Sequence, residues 1–224
     1  MLISLVDDDI KNLDLEVKEG ERLDLNLACF QSFHPCKISI KVCKNAIFNG
    51  AFADLCNWSG KLILDIYLEE GANAVWRSAS IASREDRKVF EASIYHLSPR
   101  SKGLMSNYGI TRDSSRLTFS GTSEIKKYAI GSSTRQEAKI IIFDPQSDGA
   151  CSPRLNIDEN DVTASHSASC GKLSEEHIFY LLSRGLSLPE ARRLLTLGYL
   201  KPVVSYFVDE QLRQRVDLAI EEGI

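Results

Sequence analysis

A change of hydrophobic period decides most about what this chain can fold into. From Leu13 to about Val162, apolar and polar residues alternate with period two, as in Leu13/Leu15/Val17, Leu23/Leu25/Leu27, Ile38/Ile40/Val42 and Leu62/Leu64/Ile66/Leu68. Side chains two apart share one face of a strand, so each run makes a strand with one buried face. Further short strands are expected at Val75–Ile81, Lys88–Leu97, Arg116–Phe119, Glu124–Ile130, Ala138–Phe143 and Arg154–Ile157. Turn signals separate them at Glu19-Gly20, Asn49-Gly50, Ser59-Gly60, Glu70-Gly71, Gly121 and Gly131. No amphipathic helix interrupts the region, which argues against a βαβ architecture. Short strands recurring every ~10–15 residues fit a sandwich, a barrel or a β-solenoid, and periodicity does not choose among them. The scarcity of two-residue hairpin turns leans toward the solenoid, whose coils stack without a strict sequence repeat.

After Lys172 the period becomes 3.6. Ser174 is placed to cap a helix, with Glu175 and Glu176 in the first turn opposing the positive helix end. Ile178, Leu181 and Leu182 form its apolar face, and Gly185 suits the position after its C-cap. Ser187-Leu-Pro-Glu190 reads as a capping box with Pro189 in the first turn. Ala191, Leu194, Leu195 and Gly198 lie on one stripe, with Gly198 expected to allow a close approach. Pro202 is expected to end or kink that helix and open another through Val203, Val204, Phe207 and Val208, before a last helix carrying Leu212, Val216, Ala219 and Ile220. The expected organisation is a β-body over 1–172 and a tail of three or four helices over 173–224. The joint is the polar stretch Asp161–Leu173, DVTASHSASCGKL.

Charge narrows the function classes. The net charge is −4 and Lys and Arg are scattered. Such a chain has no basic field to displace counterions from nucleic acid and no patch for an anionic membrane surface. No segment approaches the ~20 apolar residues that span a bilayer. The N-terminus turns acidic at Asp7, unlike a signal or transit segment, so a cytoplasmic protein is expected. The six cysteines (Cys29, Cys36, Cys43, Cys56, Cys151 and Cys170) form no CxxC and read as reduced thiols. His34 and Cys36 can share a strand face, but small buried core residues are the default reading of that group.

Motifs for phosphate cradling, zinc proteolysis or a serine nucleophile elbow are absent, so no standard enzyme site is expected. A carbohydrate-active β-helix enzyme stays open as a different class, since its carboxylates would converge only in the fold. Of four histidines, His34 precedes a proline, His96 ends a strand, and His177 sits in a first helical turn. His166 differs, flanked by Ala164, Ser165, Ser167 and Ala168, which leave an imidazole accessible to a ligand or a partner. The apolar stripes of the tail either cap the end of the β-body or dock a partner around Tyr180, Arg184, Leu186 and Arg193.

The stretch from Ser152 to Leu200 resembles the SufB/SufD family of Suf-type iron–sulfur cluster assembly proteins. The likeness is carried by SPRLNIDENDVTASHSASCGKL, then IFYLLSRGL, EARRLL and GYL. Looser similarity extends upstream through HLSPRSKGLMSNYGI, LTFSGTSEI and Gln136–Phe143. The resemblance implies a mainly β fold, a right-handed parallel β-helix followed by a small C-terminal α-helical domain, without the N-terminal region that longer members carry. It implies a non-enzymatic subunit pairing through its last coils with a SufB-like or identical subunit. The tail would bind the SufC-type ABC ATPase at Phe179, Tyr180, Arg184, Gly185, Leu186, Ala191, Leu194 and Leu195.

The resemblance also implies that cluster chemistry occurs at the subunit interface, with no cofactor stably bound and an iron–sulfur cluster held there only transiently. His166 matches the family histidine at that place, and a neutral imidazole can ligate iron. ATP-driven dimerisation of SufC would supply motion to the paired subunits. Ser167 stands where SufB-type chains carry glutamate, which makes SufD the closer reading. Cys170 stands where the family usually has an aliphatic residue, and reads either as a second, sulfur ligand or as a buried thiol in the joint. Cys151 falls in a DGACSP segment expected to be a loop. A self-sufficient homodimeric scaffold, holding the cluster itself through His166 and Cys170, is the alternative.

Overall fold

The computed structural model of the chain describes residues 1–222. Thirteen strands run in order: β1 (Leu2–Val6), β2 (Leu13–Val17), β3 (Arg22–Cys29), β4 (Cys36–Val42), β5 (Ile47–Asp54), β6 (Gly60–Leu68), β7 (Asn73–Ala82), β8 (Arg87–His96), β9 (Lys102–Thr111), β10 (Arg116–Ile125), β11 (Ser133–Ile142), β12 (Asp148–Ile157) and β13 (Thr163–Lys172). Helices α1 (Glu175–Ser183), α2 (Leu188–Val204) and α3 (Glu210–Glu222) follow. The odd strands pair in sequence into one sheet and the even strands into another. Pairing is parallel throughout, as between β5 and β7 or β10 and β12. Each strand therefore crosses to the opposite sheet and returns one layer higher, which makes a parallel β-solenoid. None of the described helices is long and apolar enough to cross a membrane.

Alternation explains the core. Leu23, Leu25 and Leu27 point inward from β3, and Ile38, Ile40 and Val42 from β4, all at 1% exposure or less. Inside, Phe33, Trp58, Phe90 and Phe119 contact one another in succession, with ring centroids 4.5–5.8 Å apart. Gly50 makes room for Trp76 on the next coil, because a Cβ there would lie 2.4 Å from the indole.

Four expectations for the β-body change. Asn49-Gly50 and Gly121, read as turns, lie inside β5 and β10. The strand expected at Glu124–Ile130 does not form: Glu124 and Ile125 complete β10. The chain then turns, with the Ala129 N–H donating to Lys126 O at 3.1 Å and Tyr128 at φ +70°. β1, β5, β9 and β13 match no strand expected from the sequence. The stretch expected as a polar joint is mostly β13, which needs no apolar side chains because its backbone is registered on β11 residue by residue. The segment containing Cys151 is likewise strand, within β12, not loop.

In the tail, Ser174 accepts from the His177 N–H, Gly185 follows α1 at φ +91°, and Ser187 with Glu190 forms the capping box. Pro202 does not end α2, which runs on to Val204. Its i−4 neighbour Gly198 is exposed, so the carbonyl left without an N–H is open to water. Gly198 permits no close approach either, since nothing lies within 4 Å of a Cβ built there. The buried face of α2 keeps Ala191 from the expected stripe but continues through Thr196, Leu200, Val203 and Val204.

The helices do not cap the end of the solenoid; they lie along its flank. Val203, Val204, Phe207, Leu212, Val216 and Ile220 share a core with outward residues of the odd-strand sheet, among them Ala28, Ala51, Ala53, Ala79, Ile81 and Ile110. Ala28, Ala53 and Ala79 stand in register on successive strands and form a low floor that lets the helices approach. The carboxamide oxygen of Asn26 accepts from Val208 and Asp209 N–H groups, both at 2.9 Å, and fixes the start of α3.

Candidate functional site

Because the helices lie on the flank, the coil of β12 and β13 is left uncovered among the described residues. Its register says which side chains face the interior. Trp76, Met105, Gln136 and His166 are successive partners across β7, β9, β11 and β13. The first three are buried, so His166 stands at the end of an inward column, exposed only because no further coil covers it. Cys170 ends another inward column above Ile140, with that of Ala168 and Ala138 between it and His166, and on β12 Cys151 lies above Phe119.

The interior becomes polar toward this end. Gln136 Nε2 donates to Ser123 Oγ at 2.7 Å and to Arg154 O at 2.9 Å, and Thr134 Oγ1 donates to Ser123 Oγ at 2.9 Å. Gln136 Oε1, buried directly beneath the coil of His166, has no hydrogen-bond partner among the described residues. The large rings of the middle coils give way to Gly149, Cys151, Ala168 and Cys170, so β12 and β13 draw together.

Two thiols meet there. Cys170 Sγ donates to Gly149 O at 2.9 Å, and Cys151 Sγ contacts Ser169 O at 3.9 Å, so the side chains interlock across the coil. Burial, then the neighbouring Cys170, pushes the Cys151 thiol up to about 12. Burial and the Asp148 carboxylate raise Cys170 as well. Both are protonated at neutral pH and must lose the proton to bind a metal or to attack a sulfur. Cys170 is exposed at the coil end and is not a thiol buried in a joint.

The other sequence candidates separate. Cys36 is buried, its thiol pushed up to about 11 by burial, whereas His34 is exposed beside Asp8 at 3.6 Å. His96 is buried and bonded to Ser101 Oγ at 2.8 Å, and burial lowers its pKa to about 4. His177 is exposed on α1.

One constellation carried no sequence signal. Asp54 and Lys88 are wholly buried, with Cys29, Cys56, Trp58 and Ser80 around them. Ligand atoms of Cys29, Asp54 and Cys56 lie within 4.8 Å of one another, a metal-like grouping. Lys88 Nζ, however, stands 2.8 Å and 3.0 Å from the two carboxylate oxygens and supplies the positive charge a metal would bring. The grouping reads as structural. Asp54 sits at a strand end and Lys88 near a strand start, where solvated charges are the rule.

On the tail, α1 buries no residue. Phe179 is 73% exposed, Tyr180 55% and Leu194 50%, and the Arg184 guanidinium lies 5.1 Å from the Tyr180 ring centroid. A groove of about 360 Å³ runs between α1, the start of α2 and the end of β11, lined by Ile142, Phe143, Ile178, Phe179, Leu182 and Leu188 among others. Gly185 is exposed, Leu186 and Leu195 are half-buried, and Ala191 is buried on the inner face of α2, away from any partner surface.

Comparison with known proteins matches residues 31–199 to the family model described as SUF system FeS cluster assembly, SufBD core domain. The iron–sulfur cluster assembly protein SufD of Bacillus subtilis is 30% identical over 155 residues, covering 69% of this chain and 36% of that protein. SufB of the same organism is 28% identical over 133 residues, 59% of this chain and 29% of that protein. An iron–sulfur cluster assembly SufBD family protein of Mycobacterium bovis is 27% identical over 150 residues, 66% of this chain and 18% of that protein. The matched part thus spans about a third or less of these relatives' own lengths.

Proposed function

The chain belongs to the SufBD core family of the SUF iron–sulfur cluster assembly system, and we propose that it serves there as a SufD-like, non-enzymatic subunit. It pairs through its uncovered last coil with a SufB-like subunit or a second copy, and through the α1–α2 face with a SufC-type ATPase. The iron–sulfur cluster is cargo at the paired interface, not a resident cofactor. The carrying observation is the bare coil itself. It ends the solenoid on an imidazole and two thiols, the donor types that suit iron, where another subunit can cover them.

Ser167 supports the SufD-like side of the reading. It lies in register with Glu137 on the outward face of β13, so this face lacks the carboxylate that SufB-type chains carry beside the histidine. The exposed Phe179, Tyr180, Leu182 and Leu188 are more apolar surface than a short helix leaves bare without a partner. Co-expression with the cognate SufC-type ATPase tests the assignment. Stable co-purification is expected, and its failure with a folded tail removes the ATPase from the proposal.

The self-sufficient scaffold is favoured by one observation, the placing of Cys151 beside Cys170 in the coil of His166. Anaerobic reconstitution with iron and sulfide separates the two readings. A cluster retained by the chain alone, and weakened by His166→Ala and Cys170→Ser, speaks for the scaffold.

A further inference from the structure

We infer that Cys151 and Cys170 form a reversible disulfide that locks the last coil of the solenoid when the chain meets a two-electron oxidant of the hydroperoxide class. The inference stands apart from cluster assembly, since it needs only the two thiols and the coil that carries them.

The six cysteines differ in what they touch and in whether solvent reaches them. Cys36 is buried and Cys43 bonds to Glu16 Oε1 at 3.3 Å. Cys29 and Cys56 neighbour each other, but at 0% and 5% exposure, with Cys29 bonded to Asp54 at 3.2 Å inside a sealed core. Cys151 and Cys170 alone among the described thiols are both in mutual contact and open to solvent. Their hydrogen bonds cross, Cys170 reaching back to Gly149 on β12 and Cys151 reaching to Ser169 on β13. Each thiol therefore already lies over the other strand. Gly149 keeps the approach open, because a Cβ there would stand 3.0 Å from Cys170 Sγ.

The chemistry balances with one equivalent of hydroperoxide. Cys170, the more exposed, attacks the peroxide oxygen as its thiolate. The O–O bond breaks, the distal oxygen leaves as water or alcohol, and Cys170 becomes a sulfenic acid. Cys151 then attacks that sulfur, the S–O bond breaks, and water leaves with the second proton. Two thiols are oxidised by two electrons and the peroxide is reduced. A dithiol reductant reverses the step by exchange.

The consequence is mechanical. β12 and β13 belong to different sheets, and the bond would join the two at the open end of the solenoid, in the coil that carries His166.

The test uses the full chain. It is exposed to hydrogen peroxide, alkylated, digested without reduction and analysed by mass spectrometry. The expected result is one internal link between the peptides holding Cys151 and Cys170, with the other four cysteines alkylated and all six recovered after reduction. Cys151→Ser and Cys170→Ser should each abolish the link. Free Cys151 and Cys170 after peroxide consumption would overturn the inference. So would a link between two chains, or Cys170 driven to sulfinic acid beside a free Cys151.

Discussion

Lys88 reaches through the solenoid interior to Asp54, its Nζ 2.8 Å from Oδ2, with no exposed surface on either side chain. The ammonium also donates to Cys56 O at 2.7 Å and Ile81 O at 2.8 Å, so its three N–H groups are all engaged. Asp54 in turn accepts from Trp58 Nε1 and Ser80 Oγ. Removing one partner leaves the other charge buried without compensation. Lys88→Met should cost about 3–5 kcal/mol in urea unfolding. Asp54→Asn added to Lys88→Met removes the stranded charge while keeping an acceptor for Trp58, so the double variant should be more stable than Lys88→Met alone. A double variant that is less stable would mean that the charge is not what holds this part of the core.

His96 should make stability fall in mild acid. Its folded pKa is lowered to about 4 by burial, below the ordinary 6.5. Between those values the unfolded chain binds a proton that the folded chain refuses, so stability is lost as pH drops from about 6.5 to about 4. The loss is on the order of 3 kcal/mol. His96→Gln cannot take up the proton and should flatten this part of the curve, read as urea midpoints across pH. An unchanged slope would assign the loss to other groups.

The Asp54–Lys88 pair carries no sequence signal, because a charge at a strand end or strand start reads as solvated. The solenoid core was legible because Leu23/Leu25/Leu27 and Leu62/Leu64/Ile66/Leu68 alternate. The capped starts of α1 and α2 were legible because Ser174 and Ser187 stand just before their helices. β13 was not, because Ala164, His166, Ala168 and Cys170 alternate with Ser165, Ser167 and Ser169, giving no contrast of hydrophobicity. Its strand character comes from pairing with β11, a relation that local sequence does not carry. Cys151 and Cys170 met for the same reason: register, not spacing, brings them together. His166 stood out by its small neighbours, and those neighbours are what an uncovered, narrowing coil requires.

Gly50 should tolerate no side chain. A Cβ would stand 2.4 Å from Trp76 Cε3 and 3.0 Å from Phe48 Cζ, and both rings are fixed in the core. Gly50→Ala should cost about 1–3 kcal/mol through overpacking. Gly171→Ala is the control, since nothing lies within 4 Å of a Cβ there. Thermal or urea unfolding of the two variants should differ clearly, and equal midpoints would show that the Trp76 ring has room to move.

The α1–α2 face should separate binding from stability. Phe179 is 73% exposed and α1 buries none of its residues, so Phe179→Asp removes little packing. Its effect on unfolding should stay within about 0.5 kcal/mol, as for surface substitutions generally. The same change places a carboxylate on the wall of the groove that Ile178, Leu182 and Leu188 also line. If a SufC-type ATPase docks there, burying that charge unpaired should abolish co-purification while the melting curve stays put. Leu200→Asp gives the contrast, because Leu200 is fully buried under α2 and its replacement should lower stability first. Undiminished capture of the ATPase by Phe179→Asp would move the docking surface off α1.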